Sequence, residues 1–580
     1  MALKRLGIRP PVGFTPLAAL TLGTLSVSLA VFILGALHTA TPAVLLALLG
    51  CIVTVGLGRL ALAIRTGPVD LPTTPRAVMG LFLVMAAAAC CIATAPPVHP
   101  DDAYYHLLAP ARLLSDGGLR FYLYPLHSAV LSQMGFQLAA TPLHAAGQPG
   151  AWALLGVGFW MGLVWLGARR AQAAGAGPLW TGLVIAGLTA GLYPTAWYAT
   201  AGAHAMGDAT FAAAVVLTLL PGAIPRDRVG LVSLLLVGAA GTKVSLLPMS
   251  VTVWLYVVSV ACRSQTARER LSLLWAGLAP WLVCQVPVLL WTWWHSGSPW
   301  GPYLAGLLGQ SVYDVSAVRE AFAATVAANR YAIAHIAMFA FVFLNPIVWF
   351  GLIWVIVRPE RGRVSWLILA LLGCQFSLMA AWLPPDVRFL GGLQYVGLLL
   401  LAARPPPRLL AWVARPIGLT IAVLLTVPWT LLGVAEAEDA AAVVFGQTTA
   451  TQHCEEHIPA YAHFDEIDRR LPPDAVLLAL RHAQGGKPPN AYVPRPVALV
   501  AQDVPVGTKP YLLWFGPDKP AMIQRTVSEQ TPWRPGPSVF APQAVEWSTR
   551  GRQRRRTWVA VFALDDASTP ATSSEPLRPR

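Results

Sequence analysis

The sequence predicts a polytopic α-helical membrane protein with about 13 transmembrane helices, followed by a small C-terminal α/β domain. Of the 580 residues, 56% are hydrophobic and only 12% are charged. This charged fraction is roughly half that of a typical soluble domain. Apolar runs of about 20 residues, each long enough to cross roughly 30 Å of hydrocarbon as a helix, recur up to residue 433. The residues after 433 contain no such run, so a membrane domain precedes a water-exposed one.

The loops between the apolar runs carry arginines that indicate the topology. With a cytoplasmic N-terminus, six arginine-containing loops fall inside, as the positive-inside rule requires. The segment 126–146 is only weakly apolar, and an interfacial helix, a re-entrant element and a span all remain open for it. The predicted spans are 15–37, 42–64, 77–96, 150–168, 178–200, 205–222, 229–242, 244–262, 271–294, 331–357, 364–383, 389–403 and 415–433.

The composition divides the chain into three regions. Residues 1–433 form the predicted membrane domain, with its first extracytoplasmic loop at 97–125. Residues 434–564 form an extracytoplasmic α/β domain, and residues 565–580 are predicted to be disordered because they are rich in Ser, Thr, Pro and Arg. Within the α/β domain we predict a helix at 460–471 and strands at 476–480, 497–501, 511–515 and 558–563.

Charge and cysteine content exclude two classes of protein. The net charge of +14 comes mainly from short loops between spans and from a cluster at Arg550–Arg556, so topology explains it without a nucleic-acid partner. Six of the seven cysteines lie in apolar runs, where cysteine behaves as a small hydrophobic residue. We therefore expect neither nucleic-acid binding nor a disulfide framework.

A polar run, His99-Pro-Asp-Asp-Ala-Tyr-Tyr-His106, follows the third predicted span. Carboxylates are costly in hydrocarbon, so Asp101 and Asp102 are predicted to lie at the water boundary and to act in chemistry. The alternative is a helix cap, since an Asp in the first turn accepts hydrogen bonds from free N–H groups. In a helix, Asp102 and His106 are i,i+4 neighbours that can pair or share a metal ion.

Other polar residues fall in loops on the same predicted face. Lys243 and Arg388 are candidates for holding a lipid phosphate, although snorkelling to the headgroups explains either residue equally well. His204 and Asp208 form a second i,i+4 pair, which we interpret either as a divalent-ion site or as a structural hydrogen bond. A divalent metal ion is therefore left open as a cofactor, with Asp102, His106, His204 and Asp208 as its candidate ligands.

Several short segments resemble, in order, the GT-C superfamily of membrane glycosyltransferases, which includes bacterial relatives of protein O-mannosyltransferases and aminoarabinose transferases. The loop Asp101–Gly118, followed by Tyr-Pro-Leu at 124–126, looks like the first extracytoplasmic loop of these enzymes. The segment Gly238–Pro248 is similar to a span ending at a lysine, and Asp386–Leu390 is similar to a late arginine-aromatic element. Ser296–Pro302 looks like the family's asparagine-proline loop, but the asparagine is absent.

The resemblance implies a glycosyltransferase of the cell envelope that works in glycan biosynthesis. Its donor is a sugar linked to polyprenyl phosphate, and its acceptor is a glycan, a lipid or a protein. Asp101 or Asp102 matches the catalytic base or metal ligand of the family, and we assign Tyr104, Tyr105, His106, Lys243 and Arg388 to substrate binding. We expect a multi-pass protein of the bacterial inner membrane, in contact with its lipids, with the active site facing the extracytoplasmic side. A transporter, a flippase or a non-catalytic scaffold for lipid-linked glycans is the alternative.

Overall fold

The computed structural model describes residues 10–65, 72–99, 106–121, 136–200, 202–263, 265–299, 312, 345–357, 362–381, 390–403, 416–479, 492–493, 497–498, 504, 508–516, 533–548 and 554–566. They divide into two compact units. The first contains the described parts of Met1–Pro97, Ala109–Phe121 and Ser128–Gln447, and the second contains those of Val98–Leu108 and Thr448–Arg580.

The first unit is built from helices. In chain order they are α1 (Thr15–Ala36), α2 (Pro42–Arg65), α3 (Arg76–Thr94), α4 (Leu108–Ser115), α5 (Gln137–Ala145), α6 (Ala153–Ala173), α7 (Pro178–Thr189), α8 (His204–Thr218), α9 (Arg226–Ala240), α10 (Leu247–Cys262), α11 (Ala267–Pro280), α12 (Val286–Ser296), α13 (Pro346–Val357), α14 (Gly362–Ala381), α15 (Leu393–Ala403), α16 (Pro416–Ala435) and α17 (Glu438–Val444). A π-helical turn, Trp281–Gln285, joins α11 to α12.

The expectation of about 13 transmembrane helices is wrong. Within the described ranges, three helices are long and apolar enough to cross a membrane: α1, α3 and the continuous segment Ala267–Ser296. Seven further apolar helices are shorter, at 10–17 residues. At 1.5 Å per residue, an 11-residue helix such as α15 extends only about 17 Å, well short of a bilayer core.

The physical reason is that a continuous apolar run need not be a continuous helix. The predicted span 178–200 is α-helical only to Thr189, because the chain then passes through Gly191 at a φ of 150°. The predicted span 389–403 becomes α-helical only at Leu393, after two glycines with positive φ. A mean hydropathy does not reveal these breaks because glycine contributes little to it. The backbone conformation at these glycines nevertheless interrupts the α-helix.

The helix α8 lies in the interior of the first unit. All of its residues from His204 to Thr218 are buried, and it packs against α1, α6, α9 and α15. The C-terminal end of α8 is stabilised by the buried Arg228 of α9. Its guanidinium donates hydrogen bonds to the carbonyl oxygens of Leu217, Leu220 and Ala223. The sequence had suggested only a topological reason for this arginine. A polar residue on α8 therefore lies in a protein interior.

The second unit is a mixed sheet with short helices. Its elements are α18 (Ala450–His457), α19 (Phe464–Arg470), β1 (Ala475–Leu478), β2 (Val497–Ala498), β3 (Lys509–Gly516), β4 (Trp533–Ser548) and β5 (Arg554–Asp566). The strand order is β2-β1-β3-β5-β4, with β1 parallel to β2 and β3, and with antiparallel pairs β3–β5 and β5–β4. Strands lie at each of the four predicted positions, whereas β4 was not predicted.

The segment after α3 belongs to the core of the second unit. Val98 and Leu108 are buried in the apolar cluster that also contains Cys454, Leu513 and Val561. The sheet thus covers an N-terminal segment that is separated from it by most of the chain. The sequence-predicted loop 97–125 is divided between the two units, since Ala109–Phe121 is part of the first. The predicted disordered region beyond Asp566 lies outside the described residues.

Candidate functional site: a buried carboxylate and ammonium

Two opposite charges meet inside the helical unit. The ammonium Nζ of Lys243 lies 3.5 Å from Oδ1 of Asp208, a residue on the first turns of α8. The side chain of Lys243 is 9% exposed, and that of Asp208 is fully buried. An isolated ion at such a depth would cost several kcal/mol, so each charge needs the other. The sequence suggested an anion for Lys243, and the structure supplies one from the chain itself.

The second oxygen of Asp208 accepts two further hydrogen bonds. Tyr193 Oη donates to Oδ2 across 3.1 Å, and Tyr198 Oη donates to the same atom across 2.9 Å. Both rings are buried, and they pack edge to face with centroids 4.9 Å apart. The carboxylate thus has an ammonium on one oxygen and two hydroxyls on the other. Each of the three donors stabilises the charged carboxylate, and together they oppose the cost of burying it.

Local backbone irregularities bring these side chains together. Tyr198 ends the π-helical turn Pro194–Tyr198, which follows the break at Gly191. Lys243 lies between α9 and α10, where the helix ends at Ala240 and a 3₁₀ turn begins at Val244. π-helical turns and helix breaks often mark functional positions, since they point side chains away from the regular helical directions.

A glycine pair closes the site on the side of Asp208. Gly391 and Gly392 have φ values of 62° and 85°, which L side chains rarely adopt. A Cβ on Gly392 would lie 2.1 Å from the carbonyl oxygen of Asp208, and one on Gly391 would lie 2.1 Å from Cδ2 of Leu246. Only glycine permits this approach of the 390–393 turn to α8. The turn follows Arg388 in sequence by two residues.

Tyr395, one helical turn beyond the glycines, also belongs to the cluster. Its side chain is buried and lies within hydrogen-bonding reach of Tyr198. Asp208, Lys243, Tyr193, Tyr198 and Tyr395 therefore form a polar cluster inside apolar helices. We call these five residues the Asp208 cluster.

The predicted pairing of His204 with Asp208 is not the arrangement that the structure shows. The described partners of Asp208 are Lys243, Tyr193 and Tyr198, and the buried ring of His204 instead meets Trp197 edge to face at 5.3 Å. Residues i and i+4 share a helix face, but tertiary neighbours compete for the carboxylate. Lys243 is 35 positions away, and no local spacing rule connects it to Asp208.

His106 lies in the other unit. It is buried, and it is followed by Leu107 and Leu108, of which Leu108 enters the apolar core with Cys454. The other candidates, Asp101, Asp102, Tyr104, Tyr105 and Arg388, lie outside the described residues. Their assignment to catalysis and substrate binding stays a prediction.

The metal prediction stays a prediction as well. Over the described part of the chain, no group of three or more His, Cys, Asp or Glu side chains is arranged to hold a metal ion. Asp102, one of the four candidate ligands, is outside that part. The contacts of Asp208 to an ammonium and two hydroxyls are those of a counter-ion.

Sequence reasoning missed Tyr193, Tyr395 and the glycine pair. The pair Gly391-Gly392 was a usable signal, because two adjacent glycines inside an apolar run predict a backbone break or a close approach. The tyrosines gave no such signal, since tyrosine is common in membrane helices. Comparison of the chain with protein-family models, with curated proteins and with solved structures finds no match.

Proposed function

We propose that this protein is a membrane glycosyltransferase that transfers a sugar from a polyprenyl-phosphate donor to an acceptor hydroxyl. The observation that carries the proposal is the junction at Asp208. Lys243 contacts Asp208 there, and the 390–393 turn, which begins two residues after Arg388, approaches the backbone of Asp208. The sequence assigned Lys243 and Arg388 to the lipid phosphate. A cation in an apolar helical unit, with its side chain partly exposed, is suited to an anionic lipid headgroup.

In the proposed reaction, the acceptor oxygen attacks the anomeric carbon while the bond from that carbon to the phosphate oxygen breaks. Asp101 or Asp102 takes the proton of the acceptor hydroxyl as general base. The electron pair of the broken bond leaves with the lipid phosphate, whose growing charge Lys243 and Arg388 stabilise. The resemblance to GT-C enzymes supports these roles, and it leaves the acceptor open among glycans, lipids and proteins.

The location of the reaction follows from the donor. A polyprenyl phosphate stays in the bilayer, so its enzyme must reach the membrane, and three helices in the described part of the chain are long and apolar enough to cross one. We propose a multi-pass protein of the bacterial inner membrane with its active site on the extracytoplasmic side, working in cell-envelope glycan synthesis. The asymmetric distribution of loop arginines supports this orientation.

A transporter or flippase for lipid-linked glycans is the second candidate. The fully buried Asp208 beside Lys243 favours it, because intramembrane ion pairs also mark the pathways of transporters. In that case the same residues bind the lipid phosphate, and no bond to the sugar breaks.

Sugar transfer in proteoliposomes tests the proposal. The full chain is reconstituted with a radiolabelled polyprenyl-phosphate sugar and candidate acceptors, and transfer is compared with movement of the intact donor across the bilayer. We expect transfer by the native protein and its loss in the Asp101→Asn/Asp102→Asn double variant. Asp116→Asn is the matched control, since Asp116 is an exposed acid just after α4. Donor movement without transfer would favour the transporter, and full transfer by the double variant would exclude the proposed base.

A further inference from the structure

We infer that Asp208 is the resting counter-ion of Lys243, and that the lipid phosphate takes over this role when the donor binds. The inference rests on the proposed function, because it assigns the phosphate to Lys243. It adds a positioning residue that touches neither sugar nor acceptor. This exchange of counter-ions also explains how the site discriminates between phosphorylated and neutral polyprenyl lipids.

The ammonium of Lys243 requires a counter-ion. Lys243 is 9% exposed at its side chain, and the segments around it are apolar helices. A buried ammonium without a partner loses its proton or destabilises the fold. Before any ligand binds, Asp208 compensates the charge of Lys243.

The two carboxylate oxygens of Asp208 have contacts of different length. The contact from Nζ to Oδ1 is 3.5 Å, longer than the roughly 2.7–2.9 Å of a strong charge-assisted hydrogen bond. The other carboxylate oxygen is held at 2.9 and 3.1 Å by two tyrosine hydroxyls. Asp208 is therefore held by Tyr193 and Tyr198, and its contact with Lys243 is the longest of its three described contacts. If the ammonium moves away, the carboxylate keeps two donors.

Lys243 is the more exposed member of the pair. The exposed fraction of the pair belongs to Lys243, because the Asp208 side chain is fully buried. Lys243 also lies in a short break between α9 and α10, and its four-carbon stem allows the ammonium to shift without movement of either helix. A ligand that reaches the pair therefore meets Lys243 rather than Asp208. An anionic headgroup can replace the carboxylate as the partner of Lys243, whereas a neutral headgroup cannot.

This exchange makes a definite prediction about Asp208→Asn. The variant keeps the shape of the side chain but removes the negative charge beside Lys243. Undecaprenyl phosphate should then bind the variant more tightly than the native protein, by at least roughly tenfold, because it no longer competes with a carboxylate. The variant should have a lower melting temperature, and undecaprenyl phosphate should raise it by more than it raises that of the native protein.

The experiment measures melting temperature and lipid affinity for the full chain in phosphatidylcholine nanodiscs, whose headgroups carry no net charge. Undecaprenyl phosphate is the probe, and undecaprenol is the neutral control. The variants are Asp208→Asn, Asp208→Glu, Lys243→Met and, as the matched control, Lys509→Met, which removes an exposed lysine of β3. Asp208→Glu should behave nearly like the native protein, because it restores the charge.

The outcomes separate this inference from the proposed function. If Lys243→Met still prefers undecaprenyl phosphate over undecaprenol as strongly as Lys509→Met does, the phosphate role of Lys243 is wrong. If Lys243→Met loses that preference while Asp208→Asn gains no affinity for undecaprenyl phosphate, only the counter-ion exchange is wrong. A purely structural Asp208 would lower the melting temperature without any selective recovery by the phosphorylated lipid.

A second variant keeps the test decisive if Asp208→Asn does not fold. Tyr193→Phe/Tyr198→Phe removes both hydroxyl donors from Oδ2, so the carboxylate depends more on Lys243 and competes better with the phosphate. We expect weaker binding of undecaprenyl phosphate by this double variant and unchanged binding of undecaprenol. Equal or tighter binding of the phosphorylated lipid would overturn the inference.

Discussion

The two units bury their interiors by different means. The helical unit holds a charge pair, Asp208 and Lys243, whose members are separately costly and jointly tolerated. The second unit has an apolar cluster that encloses Val98 and Leu108 among side chains of the sheet, and its described buried polar residues are the histidines His106, His453 and His457. Lys243 and the segment that contains the Asp101-Asp102 motif, the two polar elements predicted from the sequence, are therefore stabilised in different ways. Lys243 depends on a charge, whereas the segment before and after the Asp101-Asp102 motif depends on packing.

The largest expected effect concerns the charge pair. Lys243→Met leaves a buried carboxylate without its cation and should cost about 3–5 kcal/mol of stability. The Asp208→Asn/Lys243→Met double variant should lose less than either single variant, because it removes both charges. Hydrogen exchange of the α8 amides in each variant measures these losses. Additive losses would show that packing rather than charge governs this site, and the contrast between the units would disappear.

The glycine turn gives the next effect. Gly392→Ala must hold a positive φ, at about 1–2 kcal/mol, and must place a Cβ against the carbonyl of Asp208, at up to roughly 3 kcal/mol more. A total loss of about 4 kcal/mol is expected in the same exchange measurement.

Gly373→Ala is the matched control for that substitution. Its added Cβ meets no atom within 4 Å, and Gly373 lies in the interior of α14. Alanine is the better helix former, so we expect a stability gain of about 1 kcal/mol at most. A similar loss in both variants would mean that the close approach at Asp208 carries no energetic weight.

The apolar core should respond in the opposite way to double substitution. Leu513 and Val561 are paired across β3 and β5 and are both buried. Leu513→Ala should cost about 3 kcal/mol, and adding Val561→Ala should cost more still, because both substitutions remove buried apolar volume. Hydrogen exchange of the β3 and β5 amides tests this. A double variant more stable than Leu513→Ala would contradict the distinction between the two interiors.

The smallest effect is a pH dependence confined to the second unit. Burial raises the pKa of the Cys454 thiol to about 11, and burial also raises the pKa of Tyr461, its hydrogen-bond partner. The folded thiol keeps its proton at a pH where the unfolded thiol, with a pKa near 9, loses it. Its contribution to stability is therefore complete below about pH 9 and declines as the pH rises towards 11.

Circular dichroism of the sheet during thermal unfolding checks this sign. The melting temperature should fall between pH 9 and pH 11, and it should fall less in Cys454→Ala, where the contribution of the thiol is absent. An unchanged pH profile in the variant would show that Cys454 does not contribute to the decline.

The sequence located several strands well and the helices less well, for one physical reason. Short apolar segments between polar ones predict strands such as β3, where the pattern and the element coincide. Some apolar runs, such as 178–200 and 389–403, were longer than their α-helices, since glycines such as Gly391 interrupt the backbone but hardly alter hydropathy. Strand β4 was missed because prolines at 535, 537 and 542 argue against a strand. Register shifts between Pro535 and Gln543 accommodate them.

The candidate site was predictable only in part. A lysine in an apolar region demands an anion, and this much was evident from Lys243 alone. The identity of that anion was not, because Asp208 lies 35 residues earlier and shares no local pattern with it. The π-helical turn Pro194–Tyr198 places the hydroxyls of Tyr193 and Tyr198 within hydrogen-bonding distance of Asp208. Single-sequence rules for regular helices do not anticipate such a turn.

The position of Val98–Leu108 in the second unit has a consequence for biosynthesis. This segment leaves the ribosome early, yet the strands and helices that enclose it begin only after Thr448. At about 5–20 residues per second, the segment waits roughly 20–70 s for its partners. A chain that stops before residue 448 would contain Val98 and Leu108 without the side chains that bury them. Premature termination should therefore expose these apolar residues and make the chain a substrate for cellular proteases.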